Sequence, residues 1–127
     1  MKNGIKDWII VADKDIISVR ELMKNSQLVS AAAFHCQQAI EKYFKAYLLE
    51  HDWELQKTHD LMKLYSEIKK IKDLQIDEDT LMEIDKVYMD TRYPDDYVEP
   101  SEKEIERFYN FAKDIASQIK KELGVSI

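Results

Sequence analysis

Two glycines and two prolines are all that interrupt this chain of 127 residues, too few for the turns of a many-stranded sheet. With glycine only at Gly4 and Gly124, the glycine-rich loops of Walker-type and dinucleotide-binding sites are excluded. One cysteine, Cys36, cannot build an internal disulfide framework. Its place in an apolar run reads as a buried thiol in a reducing compartment, so a cytoplasmic location is expected. No apolar run approaches the roughly 18 residues of a membrane span, and the first short run is broken by Asp13 and Lys14, so neither a membrane segment nor an export signal is expected. Basic charge is also short: 19 Lys and Arg against 25 Asp and Glu leave a net charge of −6. Such a field repels nucleic acid at long range and confines any RNA contact to a local patch. The three histidines, at 35, 51 and 59, have neither HExxH spacing nor a CxxC companion, so no metal and no cofactor is expected. The few serines lack the context of a nucleophile elbow.

What remains is 45% apolar residues set among Lys, Glu, Ala, Leu and Ile, the composition of long helices and enough for one core, so residues 1–127 are expected to form one all-α domain. Ile5, Trp8, Ile9, Ala12, Ile16, Val19 and Met23 recur at steps of three and four, which predicts a first helix over roughly 4–24. After Asn25 and Ser26, a wide apolar arc from Val29 to Tyr47 predicts a central second helix reaching about Glu50. Thr58 stands where an N-cap is expected for a short third helix through Leu61, Leu64, Tyr65 and Ile68. Leu81, Ile84 and Tyr88 continue one face of a fourth helix that would carry Arg92 on its inward stripe, and Tyr93 before Pro94 ends it. Ser101 with Glu104 is a capping box that opens a fifth helix along Ile105, Phe108, Ala112, Ile115, Ile119 and Leu123. Short connections and no internal repeat imply an up-and-down bundle of four to five antiparallel helices.

Candidate chemistry falls at three places. On the second helix, Gln37, Gln38, Glu41 and Lys45 lie within about a quarter of the circumference. That stripe either meets a ligand or an apposed protomer, or is a solvated face with an i, i+4 ion pair. His59 follows the expected cap, where free N–H groups and the helix dipole attract anions, although a histidine that merely fixes the loop fits as well. His35 reads as a structural side chain, and His51 falls in a polar joint that carries no argument. The turn after the fourth helix crowds Arg92, Tyr93, Asp95, Asp96 and Tyr97 together, a planar cation, two rings and two carboxylates. Such a set can hold a phosphate and a base; alternatively, Arg92 pairs with Asp95 or Asp96 to fix the turn.

The segments AAFHCQQAIEKYFKAYLLEHD, KTHDLMKLY and TRYPDDY, followed by a long final helix, resemble those of the HEPN domain family over nearly the whole chain. The resemblance implies a helical bundle that forms a two-fold homodimer, a link to RNA, and in many cases a minimal nucleotidyltransferase as partner. Its catalytic members cleave RNA without metal through a motif of Arg, a polar residue, a short spacer and His. Here Arg92 matches the arginine, Tyr93 replaces the polar residue, and Tyr97 stands about where the histidine belongs. A tyrosine, with an ordinary pKa of about 10, is a poor general base at neutral pH. The expected function is therefore a non-catalytic module binding a nucleotide or RNA in a dimer groove lined by Gln38, Lys45, His59, Arg92 and Tyr93. The alternatives are a toxin–antitoxin type interaction partner of a minimal nucleotidyltransferase, with Tyr97 as a modification site, and a metal-independent endoribonuclease toxin.

Overall fold

The computed structural model describes residues 1–125, the Asp96 side chain excepted. Among the described residues there are five α-helices and no strand: α1 (Ile5–Leu22), α2 (Val29–Glu50), α3 (Leu61–Lys69), α4 (Glu78–Asp90) and α5 (Glu102–Leu123), with 3₁₀ turns at Ser26–Leu28 and Pro94–Asp96. The all-α bundle read from the periodicities is the observed fold. None of these helices is long and apolar enough to cross a membrane.

α2 packs against each of the other four helices. It buries Ala32, Ala33, Cys36, Ala39, Ile40, Tyr43, Phe44, Tyr47 and Leu48, which is why its apolar arc is so wide. Gln37, Glu41 and Lys45 are buried with them, so the stripe is not a solvated face. α1 lies along α2 through Ile5, Ile9, Ala12 and Val19. Two aspartates fasten it. Asp15, only 7% exposed, meets His35 Nδ1 at 2.8 Å and Lys42 Nζ at 2.6 Å. Asp13 accepts from the Tyr43 hydroxyl at 2.6 Å and Lys120 Nζ at 2.9 Å, tying α1 to α2 and α5. His35 is thus a structural side chain, and removing a partner from so buried a carboxylate is costly.

The helix starts follow from short polar side chains that accept otherwise orphaned N–H groups. Asp77 caps α4 by accepting from the Thr80 hydroxyl at 2.6 Å and the Thr80 N–H at 3.1 Å, and these bonds hold its carboxyl below the usual range. The capping box of α5 forms as expected: the Glu104 N–H donates to Ser101 Oγ, and the Ser101 N–H donates to Glu104 Oε1, both at 3.1 Å. The start of α3 differs from expectation. Its cap is Asp60, which accepts from the Met62 and Lys63 N–H groups, while Thr58 Oγ1 instead accepts from the Asp60 N–H at 3.2 Å. A carboxylate two residues closer to the first apolar position wins over the hydroxyl, and His59 falls outside the helix. α4 likewise ends at Asp90, before Arg92, because Tyr93 is held extended ahead of Pro94 at φ −128° and ψ 92°.

Candidate ligand groove

The connection 51–60 and the last turns of α4 enclose a groove of about 560 Å³, with α2 behind it. Its depth comes from the buried polar face of α2. Lys45 Nζ and Glu41 Oε2 are 3.0 Å apart, with side chains 6% and 5% exposed. The other Glu41 oxygen, Oε1, meets His59 Nδ1 at 2.8 Å. Gln37 Nε2 donates to the His59 carbonyl at 2.6 Å, and Gln38 Nε2 donates to Gln37 Oε1 at 2.8 Å. A relay of side chains spaced by one helical turn on α2 therefore fixes both the backbone and the ring of His59. The ring itself stays 53% exposed and lines the groove.

The start of α3 is not an anion site. Asp60 takes the Met62 and Lys63 N–H groups, and Asp85 Oδ2 takes the Leu61 N–H at 2.8 Å. Asp85 reaches there from α4, and burial pushes its carboxyl up to about 6 even though the Leu61 N–H works against that. Its second oxygen, Oδ1, is buried without a hydrogen-bond partner. Positive charge at the groove comes instead from side chains: Arg92, Lys57, and Lys86, which also pairs with Asp90 at 2.7 Å. The Arg92 guanidinium lies 4.6 Å from the centre of the Tyr88 ring and donates to the Tyr88 hydroxyl. Tyr88 in turn stacks on Phe34 at 5.7 Å and leans on His59 at 6.1 Å, so cation, phenol and imidazole stand side by side.

Of the five residues expected to meet a ligand, the groove brings His59 and Arg92 together. Gln38 stands behind them, half-buried, and acts on His59 only through Gln37. Lys45 is beneath Glu41, with Nζ 6.0 Å from the Trp8 ring centre, too deep to touch a molecule in the groove. Tyr93 is 58% exposed and stands outside the lining. The Tyr97 hydroxyl is hydrogen-bonded to Ser30 Oγ, and burial, with Glu99 nearby, raises its pKa further above that of a useful base. Arg92 rests on Tyr88 rather than on Asp95; the alternative pairing with Asp96 lies outside the described residues. Sequence reasoning missed Lys57, Asp85, Lys86, Tyr88 and Met89 as lining. The spacing 85, 88, 89, 92 on one helical face carried that signal, but Tyr88 was already assigned to the core. No group of three or more His, Cys, Asp or Glu side chains among the described residues is placed to hold a metal ion.

Comparison with known proteins decides the family: the HEPN domain family matches residues 5–123. The chain belongs to the HEPN family. Two solved structures share the HEPN fold seen here. TT1696 from Thermus thermophilus is 20% identical, with a TM-score of 0.78 over 95% of this chain and 99% of its own, a likeness of fold alone. ST0689, an archaeal HEPN homologue, is 27% identical, with a TM-score of 0.70 over 96% of this chain and 98% of its own. No curated protein matches the chain.

Proposed function

We propose that this HEPN chain is a non-catalytic binding module that takes a nucleotide or a segment of single-stranded RNA in the groove between the 51–60 connection and α4, within a homodimer. The observation that carries the reading is the convergence of Arg92, Lys57, Lys86 and an oriented His59 around the Tyr88 ring, a local cluster of cationic and aromatic side chains, set beside Asp60 and Asp85, on a chain of net charge −6. In this reading Arg92 and the two lysines hold phosphate, and the exposed Tyr93 beside them stacks a base. Gln38, through Gln37, and Lys45, through Glu41, keep His59 in place. The groove's volume falls within the range of small-molecule sites. Absence of cleavage follows from Tyr97, whose hydroxyl is engaged and whose pKa lies above the ordinary phenol value, at the position where the resemblance calls for a histidine.

The test is calorimetric titration of the purified protein with ATP and with a short single-stranded RNA. Because Arg92 is exposed, Arg92→Ala is expected to leave the thermal midpoint unchanged and to weaken binding by about ten- to a hundredfold, the value of a charge-assisted contact. Unchanged affinity in a folded Arg92→Ala protein overturns the reading. A second reading draws on the acidic net charge and on Met82, Met89 and Tyr93, which are exposed on and just after α4: a surface for a minimal nucleotidyltransferase, with Tyr97 as the group modified. A dimer by mass-determined sizing that binds neither ATP nor RNA, but co-purifies with such a partner, would replace the first reading with the second.

A further inference from the structure

The proton on His59 has a place dictated by its partner. Lys45 donates to Glu41 Oε2 in a buried pair, so Glu41 is a carboxylate, which can only accept. Its Oε1 is 2.8 Å from His59 Nδ1. Nδ1 must therefore carry the hydrogen, and Nε2, on the opposite edge of a ring that lines the groove, is the nitrogen presented to a ligand. In the neutral ring Nε2 offers a lone pair, which repels a phosphate oxygen. Only after gaining a second proton does it donate, and the ring then adds its charge to the groove.

The groups facing His59 make that added charge matter. From α2, Glu41 and Lys45 cancel each other. From its own segment come Lys57 and Asp60, whose Oδ1 is already occupied by the first N–H groups of α3. From α4 come Asp85, the uncharged Tyr88 phenol and Lys86 with its partner Asp90, and from the turn after it Arg92. These charges nearly balance, so one more positive charge, carrying a donor aimed at the ligand, changes the site's character from mixed to anion-binding.

We infer that the groove is a proton-linked phosphate site: seating a nucleotide or RNA phosphate takes up one proton at His59 Nε2, held in place by Glu41. The inference rests on the reading of the groove as the ligand site and adds which ionisation state binds. Affinity for phosphate then rises as pH falls.

The experiment is titration with a short single-stranded RNA, whose phosphodiesters keep the same charge across the range, at about pH 6 and about pH 8 and constant salt. Affinity is expected to fall by about tenfold over that interval, which corresponds to uptake of about half a proton per site averaged across it, read when the heat is compared in two buffers of different ionisation enthalpy. His59→Gln, an exchange at an exposed ring, is expected to bind with less than about a twofold change between the two pH values. Asp85 also titrates near this window, and its ionisation weakens anion binding in the same direction, so Asp85→Asn is measured in parallel. A slope that survives His59→Gln, or one that disappears only in Asp85→Asn, overturns the inference and leaves the groove reading standing. Nitrogen NMR of the unliganded protein that finds the proton of the neutral ring on Nε2 overturns it independently. Binding of neither the RNA nor ATP at either pH overturns the groove reading and the inference with it.

Discussion

The starts of α3 and α5 meet the same requirement by opposite means. Each must satisfy N–H groups that the helix itself leaves open. α5 does so with its own first turn, Ser101 and Glu104, both at the surface. α3 draws on three elements: Asp60 beside it, Asp85 from α4, and the α2 pair of Gln37 and Glu41, which hold His59 just ahead of the cap. The first arrangement is complete in an isolated peptide. The second exists only once the bundle has assembled, and it places side chains distant in sequence at hydrogen-bonding distance, which is what a binding site requires.

Breaking the assembled start should be far more damaging than breaking the local one. Glu41→Ala strips Lys45 of its buried partner and His59 of its anchor, and is expected to lower the unfolding free energy by about 3–5 kcal/mol in urea denaturation. Replacing both members, Glu41→Leu with Lys45→Met, should recover most of that loss, because two apolar side chains leave no unpaired charge. A loss below about 1 kcal/mol for Glu41→Ala would place the pair in the class of surface ion pairs.

Asp85 gives the assembled start a pH dependence of its own. Its carboxyl is pushed up to about 6 in the folded protein from an ordinary 3.8. The fold therefore favours the protonated form. The resulting stabilisation is fully present below about pH 4 and is lost as pH rises through about 6. Asp85→Asn, which resembles the protonated form and keeps an acceptor for the Leu61 N–H, should match the parent near pH 4 and be more stable at pH 7.5. The gap is expected to be about 1–2 kcal/mol after allowance for partial solvent contact, read from denaturation midpoints at the two pH values. A gap that stays constant with pH would remove Asp85 from this role. The smallest effect belongs to α5: Ser101→Ala is expected to cost about 1 kcal/mol at any pH between these limits, measured the same way.

The same contrast explains what could be read before the structure. The capping box of α5 was legible because both members sit within three residues, and the stripes of α1, α2 and α4 were legible because burial repeats at the helical period. Thr58 was read as the cap by residue type and position, whereas the hydrogen bonds that make Asp60 the cap depend on the fold. His59 and Arg92 were recognisable as chemistry by residue type, and the groove holds both. Lys45 was recognised by type as well, but nothing in local spacing could tell that Trp8 of α1 and His59 of the 51–60 connection would close on the Glu41–Lys45 pair and that the ammonium would be buried out of reach. The role of Asp85 at the start of α3 gave no local signal, since its hydrogen bond to the Leu61 N–H joins residues 24 positions apart.

Cys36 lends the molecule a further property. The thiol is fully buried on α2, the helix every other helix contacts, and burial pushes its pKa up to about 12. A reagent that attacks thiolates finds neither access nor the reactive form in the closed bundle. As the chain has no second cysteine to compete, covalent labelling tracks the moments when the core comes apart, and the protein carries its own clock for how often that happens.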